Sequence, residues 1–359
     1  MNNTFIPGLE LSRRFYVEAV RPILDAHYPD LVYDAALIGS GSEVQGLDDW
    51  TSTDHGWGPR LQIVLPDLDQ AEAIHLALAR NLPRRFLGYP TGFVRDEADG
   101  SYMLDGAADG LIKHRVTLHT VAGLLADWLN ADLPLSAVEW VTAGDQTLRS
   151  LTGGGVFHAG LGDLPRLRAE LAAYPHDVWL YLLAANWERI GQEEHLMGRA
   201  GSRGDALGSA LIAGRLVRDI MRLAFLMEGQ YAPYPKWFGT VFAQLNCADD
   251  LLPDLQAVMA ATTWQERERH LVQAYEVMTR WHNQLKISEP LSEAASSFHG
   301  RPFRVIWGGQ IAATIRAAIT DPAVKALPPT LGGIDTISDS TDVLSYPEVK
   351  ARARAIWRR

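Results

Sequence analysis

Two short segments carry residue types that could do chemistry together: Gly39-Ser40-Gly41-Ser42-Glu43-Val44-Gln45-Gly46, and, after a brief gap, Ser52-Thr53-Asp54-His55-Gly56-Trp57-Gly58-Pro59-Arg60. Glycines without side chains let backbone amides approach a phosphate closely, and the Ser42 hydroxyl adds a donor. Asp54 could hold a divalent cation such as magnesium against the same phosphates, because hard cations choose carboxylate oxygens. The simpler alternative is that the glycines only turn the chain and Asp54 caps a turn through its own backbone.

A second set lies far downstream. Arg215, Arg218 and Arg222 fall at i, i+3 and i+7 of a predicted helix and share one face, a pattern suited to gripping an anion such as a triphosphate. In Tyr231-Ala232-Pro233-Tyr234-Pro235-Lys236-Trp237-Phe238, Pro235 suits a first helical turn, so Lys236 is expected beside unbonded amides. Glu193-Glu194-His195 supplies candidate general bases for an acceptor hydroxyl. His282 and His299 stand far apart without metal-type spacing and read as structural.

The elements that must position these groups follow from periodicity. A leading helix is expected over Gly8 to His27, and the apolar run Ala35 to Ile38 reads as a strand that ends in the glycine turn. Arg60 to Leu65 and His114 to His119 read as further strands, each followed by a helix, Gln70 to Asn81 and Val121 to Leu129. From Val178 onward the pattern is almost entirely helical: Val178 to His195, Asp205 to Gly229, Lys236 to Leu245, Trp264 to Leu285 and Phe303 to Ile319. The expected fold class is therefore α+β, a mixed sheet with helices over 1–150 followed by an all-α bundle over 151–359, with the boundary near the glycines 153–155.

Composition narrows the function classes. A formal charge of −10 without clustered Lys and Arg argues against a duplex nucleic-acid footprint. A single cysteine, Cys247, rules out an intrachain disulfide and fits a reducing compartment. The N-terminal residues lack a basic, then apolar, leader, and no long apolar run occurs, so a cytoplasmic protein away from the membrane is expected.

The strand, the Gly41-Ser42 turn and the following Asp54 resemble the nucleotidyltransferase superfamily, in which a strand and Gly-Ser precede an Asp-x-Asp that opens the next strand. More closely, the chain resembles the bacterial domain-of-unknown-function family 4037. That resemblance is carried by Gly39-Ser40-Gly41-Ser42-Glu43-Val44, Ser52-Thr53-Asp54-His55, Asp177-Val178-Trp179-Leu180-Tyr181, Gln192-Glu193-Glu194 and Tyr231-Ala232-Pro233-Tyr234-Pro235-Lys236-Trp237, and extends from about Gly8 to Ser340-Thr341-Asp342. The domain layout is similar to that of aminoglycoside adenylyltransferases.

The resemblance implies transfer of a nucleoside monophosphate from ATP or another nucleoside triphosphate to an acceptor hydroxyl, with magnesium. Gly39, Ser40, Gly41, Ser42, Arg215, Arg218 and Lys236 would then bind nucleotide, Asp54 would hold metal, and Glu193 or Glu194 would act as base. The chain departs from the superfamily at the metal site: Gly56 stands where the second Asp belongs, and the later strand offers Thr117 and His119 in place of a third carboxylate. His55, His119, Glu43 or Asp48 could supplement Asp54. Alternatively, the protein binds nucleotide as a sensor without transferring it, or it is an interaction protein whose arginine stripe meets an acidic partner.

Overall fold

The computed structural model describes residues 5–97, 100–106 and 110–358. The chain divides into two compact units, one of residues 1–132 with 147–172, the other of 133–146 with 173–359. This differs from a single cut near residue 150. The strand Gly155–Ala159, hidden in the glycine-rich stretch, pairs with the strand Asp34–Leu37 and draws the chain after the glycines back into the first unit. Helix Ala137–Ala143 belongs instead to the second.

The first unit is built on a four-stranded mixed sheet of β1 (Asp34–Leu37), β2 (Arg60–Val64), β3 (Arg115–His119) and β4 (Gly155–Ala159), in the order β3-β2-β1-β4. β1 runs antiparallel to both of its neighbours, whereas β2 and β3 are parallel. The C-terminal end of β1 therefore lies at the same edge as the starts of β2, β3 and β4. All four β1 residues are buried, which fits a central strand made of small apolar residues with Asp34.

Asp34 is tolerated there because its carboxylate accepts the amides of Leu161, Gly162 and Leu164 at 2.8–2.9 Å. The leading helical run packs on this sheet, its Leu11, Phe15, Tyr16 and Val20 sharing a core with Leu61, Ile63 and Val116. The run is α-helical at Gly8–Phe15 and Arg21–His27, with a π turn at Tyr16–Val20 between. A hairpin not foreseen from the sequence, Gly92–Arg95 with Tyr102–Asp105, covers Gly58 through Phe93 and Leu104.

The second unit is helical, with short antiparallel pairing only at Ser296–Ser297 and Arg304–Val305 among its described residues. Its main helices are α1 (His176–Glu193), α2 (Ala206–Met227), α3 (Trp264–Leu285) and α4 (Gly308–Ala318). The sequence expectation for α3 matches at both ends, and a Thr263–Glu266 capping box explains its sharp start. The helix Ala248–Ala260 was not expected, since it carries Pro253 inside it.

α1 and α4 touch backbone to backbone. A Cβ on Gly308 would fall 2.4 Å from the Trp187 carbonyl oxygen, and one on Gly191 would fall 2.5 Å from the Gly309 amide nitrogen. Only glycine permits that approach. Among the described residues no helix is long and apolar enough to cross a membrane.

Candidate functional site

The Gly-Ser turn sits where the topology places it, at the C-terminal end of β1. Gly39 and Gly41 have φ of +93° and +135°, the region that favours glycine. The Gly39 amide donates to the Ser150 carbonyl. The next three amides, of Ser40, Gly41 and Ser42, donate to no acceptor among the described residues, and Ser40 and Gly41 are exposed.

Beneath the turn, Arg60 at the start of β2 is buried and bonded to the Glu43 carboxylate and to the Ser40 carbonyl, at 2.5–2.8 Å. Arg115, its register partner at the start of β3, stacks on the Tyr102 and Phe93 rings and donates to the Gly56 carbonyl at 3.2 Å. Burial, and then the charge of Arg60, lower the Arg115 pKa to about 10, so it stays protonated at neutral pH. Among the described residues Arg115 makes no ion pair, whereas Arg60 is paired with Glu43.

The carboxylates expected to hold a metal are otherwise engaged. Asp54 lies in the exposed turn Trp50–Asp54, before β2, and among the described residues bonds only to its neighbour His55, through the amide at 2.9 Å and the ring Nδ1 at 3.0 Å. Glu43 is tied to Arg60, and Asp48 accepts from the Gly8 amide at 2.6 Å and the Trp57 indole at 2.8 Å. β2 presents Arg60 and Gln62 at its start, and the Gln62 amide bridges the Ile38 backbone. His119 is at the far end of β3 and bonds Thr117. Among the described residues no three His, Cys, Asp or Glu side chains converge as a metal-binding group. The donor set at the turn thus does not fit a resident divalent cation.

The groups expected to act in the helical unit are likewise occupied. Arg215 pairs with Glu193, Arg218 with Asp339 at 2.5 Å, and Arg222 with Asp335 at 3.7 Å, so the arginine face is met by carboxylates one for one. Glu194 does not stand as a solvent-exposed base. It is buried, accepts the amides of Ile306 at 2.6 Å and Gly308 at 3.1 Å, and caps the entry to α4. Burial raises its pKa to about 7 against the opposing effect of those amides. Lys236 is exposed in the short turn Pro235–Trp237, its Nζ 4.8 Å from the Trp237 ring, and no long helix begins there.

The helical unit also holds a site that sequence reasoning missed. Tyr174, His176, Trp179, Leu226, Gln230 and Tyr231 wall a cavity of about 280 Å³. The Trp179 indole donates to the Leu226 carbonyl at 2.6 Å, and the rings of Tyr174 and Tyr231 meet edge to face at 5.0 Å. Behind Tyr174, its hydroxyl donates to the buried Asp145 carboxylate at 2.7 Å. The Asp145 amide in turn donates to Asp335 at 2.9 Å. Burial and the neighbouring Asp335 charge raise the Asp145 pKa to about 7. No sequence spacing could join Asp145 to Asp335. The aromatic residues Tyr174, His176, Trp179 and Tyr231 were a visible signal in the sequence.

An α+β chain with a glycine turn at a sheet edge and a helical unit is the class that the fold and site define. Residues 140–238 match the model of the family described as domain of unknown function DUF4037. The matched stretch contains the motifs Asp177–Tyr181, Gln192–Glu194 and Tyr231–Trp237 and the residues that wall the aromatic cavity, while the Gly-Ser turn and Asp54 lie outside it. No curated protein shows a significant match. Among solved structures, a nucleotidyltransferase-like protein from Exiguobacterium sibiricum 255-15 aligns over 81% of this chain and 82% of its own, with 14% identity and a TM-score of 0.32.

Proposed function

We propose that this protein binds a nucleoside triphosphate through its phosphates at the turn 40–42, in the manner of a nucleotidyltransferase whose own metal ligands have been lost. The observation that carries this reading is the row of three unbonded amides at a strand end, above the register-paired Arg60 and Arg115. Backbone amides in a glycine turn form an anion-binding concavity, and a half-buried guanidinium adds attraction that water screens less than at an open surface. Arg115 provides that charge, while the Glu43–Arg60 pair fixes the turn from below.

Nucleotidyl transfer itself would need an acceptor oxygen to attack the α-phosphorus as pyrophosphate leaves, and the developing charge would need more than this edge offers. Gly56 and the engagement of Asp54, Glu43 and Asp48 favour binding without transfer. A sensor or ligand-presenting role follows from that reading.

The test is thermal stabilisation by ATP, GTP, CTP and UTP, with and without magnesium, in wild type, Asp54→Ala and Arg115→Gln. Binding without a resident metal is expected to raise Tm in wild type and in Asp54→Ala alike, and to lose most of the shift in Arg115→Gln. A saturating ligand at 100 times its Kd adds about 2.7 kcal/mol. No shift with any nucleotide would overturn the reading. A magnesium-dependent shift lost in Asp54→Ala would return the protein to the transferases; turnover gained in Gly56→Asp would support a degenerate enzyme, and no gain with nucleotide still bound would favour the sensor.

A further inference from the structure

The cavity of about 280 Å³ in the helical unit approaches the size of small-molecule sites, and its walls are mostly aromatic. Trp179 cannot turn away, because its indole N–H is anchored on the Leu226 carbonyl. Tyr174 donates its hydroxyl proton to Asp145, which pushes electron density into the phenol ring and makes its face more attractive to positive charge.

The charges behind the wall point the same way. Asp335 faces Arg222, and the buried Lys350 ammonium is bound to the Ala143 carbonyl at 2.8 Å. Asp145 makes no ion pair among the described residues; it accepts the Tyr174 hydroxyl, and the nearby Arg222 charge acts on it from a greater distance. The cavity therefore has electron-rich rings lining it and, bonded behind one of them, a carboxylate that makes no direct ion pair among the described residues. No side chain that carries a fixed positive charge lines it.

We propose that this cavity is a binding site for a small organic cation, an alkylated ammonium held by the rings of Tyr174, Trp179 and Tyr231 and attracted by Asp145. An apolar shell suits the methyl groups, and the ring faces replace the water that a quaternary ammonium loses at small cost. The site is contained in the helical unit and does not rest on nucleotide binding at the glycine turn.

The experiment compares two probes of nearly equal shape on the full chain at pH 8 by titration calorimetry: choline, and its uncharged carbon analogue 3,3-dimethylbutan-1-ol. Choline is expected to bind about tenfold more tightly, as a desolvated cation–π site implies. Trp179→Leu is expected to abolish that preference, and Asp145→Asn to weaken choline about threefold while leaving the analogue unchanged. Circular dichroism identifies a variant that has failed to fold, and Asp145→Asn, which keeps an acceptor for Tyr174, then decides. Equal binding of the two probes would mean a merely apolar pocket and would overturn the proposal. So would no binding of either probe to wild type, or choline binding unchanged in both variants.

Discussion

The glycine turn of the first unit and the arginine face of the helical unit both looked like anion sites in the sequence, yet they differ in what surrounds their charges. At the turn, among the described residues, three amides have no acceptor and Arg115 makes no ion pair. On α2, Arg215, Arg218 and Arg222 each have one. A run of like charges on a helix records one side of an interaction only. The partners, Asp335 and Asp339, are more than a hundred residues away, and they decide whether the charge is available to a ligand.

The comparison is broken most severely by removing Glu43. Glu43→Ala leaves the buried Arg60 charge uncompensated under the turn and is expected to cost about 3–5 kcal/mol in urea unfolding, consistent with the loss of one partner from a buried pair. Unfolding unchanged within about 1 kcal/mol would mean that water reaches Arg60 and that the turn is not built on it.

Gly308→Ala tests the helical unit at its tightest point. Its Cβ would press on the Trp187 carbonyl and should destabilise by about 1–3 kcal/mol, measured as a fall in the urea midpoint at constant slope.

Asp145→Asn sharpens the electrostatic side. The folded-state pKa of Asp145 is raised to about 7, so between pH 4 and 7 the native state binds more proton than the unfolded chain. Stability due to this group is therefore fullest near pH 4 and is lost as pH rises toward 7. Glu194, also raised to about 7, contributes a slope of the same sign. The variant should keep the Glu194 part and lose the Asp145 part, so its stability should fall less steeply over that window. Parallel profiles would show that Asp145 does not titrate there.

The smallest effect is expected from Arg218→Ala. Its pair with Asp339 is largely solvent-exposed on the carboxylate side, so the loss should stay below about 1 kcal/mol. Any thermal shift given by ATP should be unchanged, because the guanidinium is already engaged with Asp339. Loss of the ATP shift would restore the arginine face as the anion grip and reverse the comparison.

Much of the fold was legible because local signals agreed with burial. β1, β2 and β3 lay within one residue or so of their apolar runs, and the helices Val121–Leu129 and α3 carried both their period and their caps. β4 was not legible, since its alternating Val156 and His158 are embedded in glycines that read as a linker. The hairpin Gly92–Arg95 with Tyr102–Asp105 is short and half-exposed, so it lacks the apolar signature of a buried strand.

At the candidate site, the turn and its glycines were legible because backbone strain selects residue type directly. Arg60, Arg115 and the Asp145–Tyr174 pair were not, because their meaning depends on strand register and on neighbours distant in the sequence.

The glycine contact between α1 and α4 bears on how the helical unit breathes. At this crossing the backbones touch with no side chain between them that could rearrange by rotamer hops, so a shift of one helix there must push the other's backbone aside. Amides around Trp187 to Gly191 should therefore exchange with deuterium only through wholesale opening of the unit, and should be among the last in the chain to do so.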